Sequence, residues 1–176
     1  MDIFQALQTD HEEVRELLDQ LIIVSENDES TKLLLDEIKE QLIPHARAEE
    51  AVFYNPLREV ESAKEKIGHS YTEHMRAETL LRTLRGMEKI GIEWTALAKK
   101  LRDEVVHHIE TEESEIFAIA RPLLTQQERN QMGTAFERMK EDAEDQGDFK
   151  NTLDMIANMM PPRFAESVRN FTQPNA

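Results

Sequence analysis

Four histidines, His11, His45, His74 and His108, each interrupt an apolar stripe that recurs at helical spacing. Steps of three and four residues trace the stripes. Phe4, Leu7, His11, Val14, Leu18 and Leu21 share one face of a helix expected over about Ile3 to Ser25. Leu35, Ile38, Leu42, His45, Glu49, Val52 and Pro56 share a second, after a polar loop that leaves Ser30 or Thr31 as N-cap. Ile67, Tyr71, His74, Ala77, Leu81 and Leu84 mark a third, over about Ser62 to Lys89. Leu97, Leu101, Val105, His108, Glu112, then Glu115 or Ile116, and Ile119 mark a fourth, over about Ile92 to Arg121. Strand alternation has almost no support, so the expected class is all-α. Four long helices with short connections make an up-down-up-down four-helix bundle the simplest topology. Pro44 lies well inside the second helix, where it should kink or break it, and Pro56 should close that segment.

Composition narrows what such a bundle can do. With 176 residues, 39% hydrophobic and 32% charged, the chain is expected to be soluble and to hold one main core. Its longest apolar run, Leu21 to Val24, is too short to span a bilayer, and the N-terminus enters an amphipathic pattern directly, so no membrane association and a cytoplasmic location are expected. A net charge of −15 offers no basic surface to displace phosphate counterions, which argues against nucleic acid as a partner. The chain has no cysteine, which leaves only nitrogen and oxygen to hold any metal.

On a helix, residues four apart lie one turn above each other, so His45-x-x-x-Glu49 and His108-x-x-x-Glu112 each offer an imidazole and a carboxylate from one face. Spacing alone is weak evidence. Acidic residues are 36 of 176, so about one such pair would arise by chance among six histidines. The pattern also occurs at His69 with Glu73 and at His74 with Glu78. Register discriminates better: His45, Glu49, His108 and Glu112 fall on apolar seams, where unsatisfied polar groups cost several kcal/mol. An ordinary core does not hold four histidines and two glutamates, and a metal satisfies them. Ferritin-like dimetal bundles use Glu-x-x-His with extra glutamates, whereas here histidine precedes glutamate by four and histidines outnumber carboxylates.

The segments 45–53 (HARAEEAVF), 73–77 (EHMRA) and 108–117 (HIETEESEIF), with Thr9-Asp10-His11, resemble the signature blocks of the hemerythrin-like (HHE cation-binding) family. The resemblance covers about residues 1–124, read as the bundle domain, and leaves 125–176 as a C-terminal helical extension packed on it. It implies a non-haem di-iron centre of two Fe ions. His11 and His45 would lie on one iron, His74 and His108 on the other, with Glu49 and Glu112 bridging. Oxygen-carrying members have a further histidine four residues before the one at His74; this chain has Ser70. His69, Tyr71 or Glu78 could fill that place, although His69 lies roughly 140° round the helix from His74. His107 is expected at the surface, Glu50 and Glu113 behind the ligands, and Tyr54 and Trp94 in ordinary packing.

The leading expectation is a protein that binds or senses dioxygen or a related small ligand. The alternatives are iron-dependent peroxide or nitric oxide detoxification or iron donation, and a structural module with incidental zinc. In the tail, helices are expected over about Thr125 to Ala143 and Asp148 to Met160. Met132, Met139, Met155, Met159 and Met160 would be filler or a homodimer surface, with an irregular end from Pro161-Pro162.

Overall fold

The computed structural model describes residues 1–24, 28–87 and 91–144. They form helices α1 (Ile3–Ile23), α2 (Asp28–Glu49), α3 (Asn55–Leu57), α4 (Glu61–Gly86), α5 (Ile92–Thr111), α6 (Phe117–Ala120) and α7 (Gln126–Glu144). Two π-helical turns, π1 (Glu50–Tyr54) and π2 (Glu112–Ile116), join α2 to α3 and α5 to α6. No strand occurs among the described residues, and no helix there is long and apolar enough to cross a membrane.

Four helices close a ring in which α1 touches α2, α2 touches α4, α4 touches α5 and α5 returns to α1. Two apolar clusters fix their directions. One gathers the early part of α1 (Phe4, Leu7), π1 (Phe53, Tyr54), early α4 (Ile67) and α6 (Phe117). The other gathers late α1 (Leu18, Leu21), early α2 (Leu35, Ile38), late α4 (Leu81, Leu84) and early α5 (Trp94, Leu101). Neighbours in the ring therefore alternate up and down, and the seam histidines fall between the two clusters.

Every stripe residue expected on α1 and α4 is buried, as are Leu35, Ile38, Leu42, His45 and Glu49 on α2; on α5, Leu97 is half-buried. α2 runs unbroken through Pro44 and begins at Asp28, ahead of the expected caps. Thr31 is buried, so it faces the core instead of capping the end.

The stripes slip beyond the glutamates. Where Val52 and Pro56 were expected inside, Val52 is half-buried and Pro56 exposed, and the core positions are Phe53 and Leu57. Likewise Phe117 and Ala120 are buried while Ile119 is only half-buried, and Glu115 is exposed beside buried Ile116. Both slips have one cause. In each π turn the backbone bond reaches five residues back, Asn55 N–H to Glu50 and Phe117 N–H to Glu112, so the turn takes in one residue more than an α-helix and moves the inward face on by one. Pro56 sits in the first turn of α3, where its missing N–H is tolerated, so it does not close the segment.

α7 lies against α1, α2 and π1. Asp2 caps α1 by accepting from the Phe4 N–H at 3.0 Å, and its other oxygen accepts from Gln126 Nε2 of α7 at 3.2 Å. Gly133 passes so close to the Met1 backbone that a Cβ there would lie 2.2 Å from the Met1 carbonyl oxygen. Met132 packs on the first apolar cluster, whereas Met139 is exposed. The second tail helix, its three methionines and Pro161-Pro162 lie outside the described residues.

Candidate metal centre

Between the apolar clusters the four inner helices bring two donor groups together. His11, His45 and Glu49 form one, Glu49, His74 and His108 the other, all buried, with ligand atoms in each group within 4.8 Å of one another. Glu49 belongs to both: its Oε2 lies 3.8 Å from His45 Nε2, 3.2 Å from His74 Nε2 and 4.0 Å from His108 Nε2. Glu112 is in neither group, but its Oε2 is 3.2 Å from His11 Nε2. The imidazoles thus gather as His11 with His45 and His74 with His108.

Each histidine turns Nε2 inward and holds a carboxylate through Nδ1. His45 bonds Asp10 of α1 at 3.1 Å, His74 bonds Glu50 of π1 at 3.0 Å, His108 bonds Glu73 of α4 at 2.9 Å and His11 bonds Glu113 of π2 at 2.8 Å. The partners run once round the bundle, each helix steadying the histidine of the next. Such carboxylate contacts fix the tautomer that leaves Nε2 free to donate to a metal. Glu50 and Glu113 do face away from the centre; Asp10 and Glu73, which do the same work, were missed from the sequence. Cations back three of the four carboxylates: Lys140 at Asp10 (2.7 Å), Arg47 at Glu50 (3.0 Å) and Arg15 at Glu113 (3.7 Å).

The side chains suit a cation. Both carboxylate oxygens of Glu49 and of Glu112 are fully buried and make no well-formed hydrogen bond, and neither does His11 Nε2. Burial drives the Glu49 carboxyl upward, and Glu112 beside it adds to the effect. At Glu112 burial is outweighed by Glu49 and His11, which hold its carboxyl down. Burial would also depress His11, but Glu112 and Glu113 outweigh it and hold it up at about 9; Glu49 and Glu50 lift His74 to about 10 against the same opposition. Burial prevails at His45 and His108, which stay below their ordinary value despite Asp10 and Glu73. Each imidazole pair therefore holds one protonated and one neutral ring, and the protons occupy places a divalent cation would take.

Of the expected substitutes for the missing histidine, Glu78 alone lines the cavity beside the donors, and it is held there by arginines. His69 is exposed, as is His107. Tyr71 donates to Asn55 Oδ1 at 3.1 Å, and Glu78 is tied to Arg47 and to Arg82. Trp94 packs in the second apolar cluster. Tyr54 does reach the centre: its ring stacks on His74 with centroids 5.7 Å apart, and its buried hydroxyl, without a well-formed hydrogen bond, lies close enough to Ser70 and Glu49 to feel both. On an α-helix it would point roughly 140° away from Glu49; π1 carries it onto the same face. Beside the donors, His11, His45, His74 and His108 share a cavity of about 20 Å³ with Val14, Leu42, Ala77 and Val105.

Among proteins of known function, the chain is similar to a DNA nickase from Nostoc sp., at 28% identity over 142 residues. The match takes in 80% of this chain but only 39% of that relative's length. No solved structure matches. The model of the hemerythrin HHE cation binding domain matches residues 2–120, from the cap of α1 to the end of α6. That span contains every donor of both groups, and the chain belongs to the hemerythrin HHE cation-binding family.

Proposed function

We propose that this protein holds two iron ions bridged by Glu49 and Glu112 and that it binds or senses dioxygen or a related small ligand, in the cytoplasm. The observation that carries the reading is the pair of buried donor groups sharing Glu49. His11 and His45 would hold one ion, His74 and His108 the other. Nitrogen and oxygen donors suit iron, manganese or zinc; iron follows from the family. When bound, such ions would supply reversible coordination of a small ligand and electrons to it. The chain supplies the rest. Asp10, Glu50, Glu73 and Glu113 orient the imidazoles, and the two apolar clusters keep bulk water off. The small cavity offers room for about one water-sized molecule.

Metal content per chain, measured by elemental mass spectrometry on protein expressed with iron and purified without oxygen, tests this. About two irons per chain, with a visible absorption that responds to dioxygen, is the expected result. No metal, or a stray fraction of zinc, would leave a helical module with satisfied core histidines.

One observation favours a second reading, iron-dependent turnover of peroxide or nitric oxide. The buried Tyr54 hydroxyl makes no well-formed hydrogen bond and lies near Glu49, placed to donate a hydrogen bond to peroxide or nitric oxide held there, while burial keeps its own proton on. Turnover that falls at least tenfold in Tyr54→Phe, with iron content unchanged, would select it. DNA is not proposed as a substrate, because the chain spans so little of the nickase it resembles and carries a net charge of −15.

A further inference from the structure

Three of the four carboxylates that hold a histidine Nδ1 have a cation behind them, and two of those cations, Arg15 and Arg47, belong to the helices of the ring itself. The third does not. Lys140 comes from α7, beyond the residues that the family model matches, and reaches Asp10 with Nζ 2.8 Å from one oxygen and 2.7 Å from the other. Asp10 in turn accepts from His45 Nδ1 at 3.1 Å. On the same helix, Phe136 is fully buried and sets its ring edge-on to the His45 ring, with centroids 5.6 Å apart and planes at 84°. α7 therefore meets His45 twice, through its orienting carboxylate and through its ring.

We propose that Lys140 is a positioning residue for the metal centre, acting through Asp10 to hold His45 as a donor, so that α7 forms part of the half-site of His11 and His45. The inference rests on the metal-binding reading above. A carboxylate as buried as Asp10 stays ionised and fixed only if something repays its lost hydration. Lys140 contacts both oxygens, which settles the carboxylate's rotation as well as its charge. Without it Asp10 is free to turn, and His45 loses what fixes its tautomer. The other half-site has one such cation and not two: Arg47 backs Glu50, which holds His74, whereas Glu73, which holds His108, pairs with no lysine or arginine among the described residues. The two half-sites are thus built unequally, and the inequality comes from α7.

The test compares the full-length wild type with Lys140→Ala and Lys140→Arg in two measurements. In the first, iron(II) is titrated anaerobically against a competing chelator. The expected result for Lys140→Ala is that one of the two equivalents weakens by about tenfold to a hundredfold while the other keeps its affinity, with Lys140→Arg close to wild type. In the second, the hydrogen-bonded Nδ1–H proton of His45 is followed by NMR in chelator-treated protein. It should be present in the wild type and in Lys140→Arg, and lost by fast exchange in Lys140→Ala at unchanged helical content. Unchanged affinities and an unchanged proton in Lys140→Ala would overturn the proposal, as would equal weakening of both equivalents with loss of helix. A wild type that takes up no iron defeats the proposed function instead, and the NMR comparison still decides whether Lys140 positions His45.

Discussion

At the scale of single residues, the centre depends on acids that stand beside its donors in sequence but serve donors on other helices. Replacing Asp10, Glu50, Glu73 or Glu113 by its amide keeps size and removes charge. Each change should weaken cation binding by about tenfold to a hundredfold in a chelator competition. The protons held by the imidazoles give a second prediction. His11 and His74 titrate above the ordinary value of 6.5, at about 9 and about 10, because they gain carboxylate partners on folding. Their contribution to the stability of chelator-treated protein is therefore complete below 6.5 and is lost as pH rises through 9 to 10. Over the same interval a cation has fewer protons to displace, so its affinity should rise. Thermal melting across pH 6 to 10, with and without chelator, should show the two trends diverging; parallel curves would contradict the protonation pattern.

At the scale of elements, the sequence showed the four stripes because an amphipathic α-helix writes its inward face as a period near 3.6. That was enough to place His11, His45, Glu49, His74, His108 and Glu112 in the core. It failed at Val52, Pro56 and Ile119, since a change of backbone bonding from four to five residues leaves no mark in a pattern read at α-helical spacing. Tyr54 was missed for the same reason. Asp10 and Glu73 had a signal that could have been used. Successive residues on a helix are about 100° apart, close to the right angle between neighbours in a four-helix ring, so a residue next to an inward donor points at an adjacent helix. The acid precedes the donor on α1 and α4 and follows it at the ends of α2 and α5. Because neighbouring helices run in opposite directions, that alternation turns every acid the same way round the bundle. α7 gives a third prediction. Phe136 fills the core beside His45, and Phe136→Ala should cost about 3–5 kcal/mol in denaturant unfolding. Gly133→Ala should also lower stability, since the Met1 backbone leaves no room for a methyl group.

At the scale of the whole molecule, the centre is the meeting place of four helices whose apolar contacts lie mainly above and below it. Among the described residues, its polar layer brings Glu49, Glu112, Asp10, Glu50, Glu73 and Glu113 together with Lys140, Arg47 and Arg15 as permanent cations. Divalent cations held by the two donor groups would make up the missing positive charge and together tie all four helices. Saturating iron or zinc at a hundred times its dissociation constant should raise stability by about 2.7 kcal/mol for each ion bound, and a chelator should reverse this; an unchanged melting temperature would mean that the layer does not select bound over empty protein.

The two π turns set a limit on how this chain can change in length. Each holds one residue beyond what an uninterrupted α-helix would need, π1 directly after the shared Glu49 and π2 beginning at the buried Glu112. Removing a single residue from 50–54 would let the backbone close into regular α-helix at little cost in hydrogen bonds, yet would turn Tyr54 and Leu57 about 100° relative to His45 and Glu49. The loss would be one of alignment, with helix content and composition almost untouched. Loops between the helices can lengthen or shorten without disturbing the donors, whereas these two segments are places where the count of residues is itself part of the metal centre.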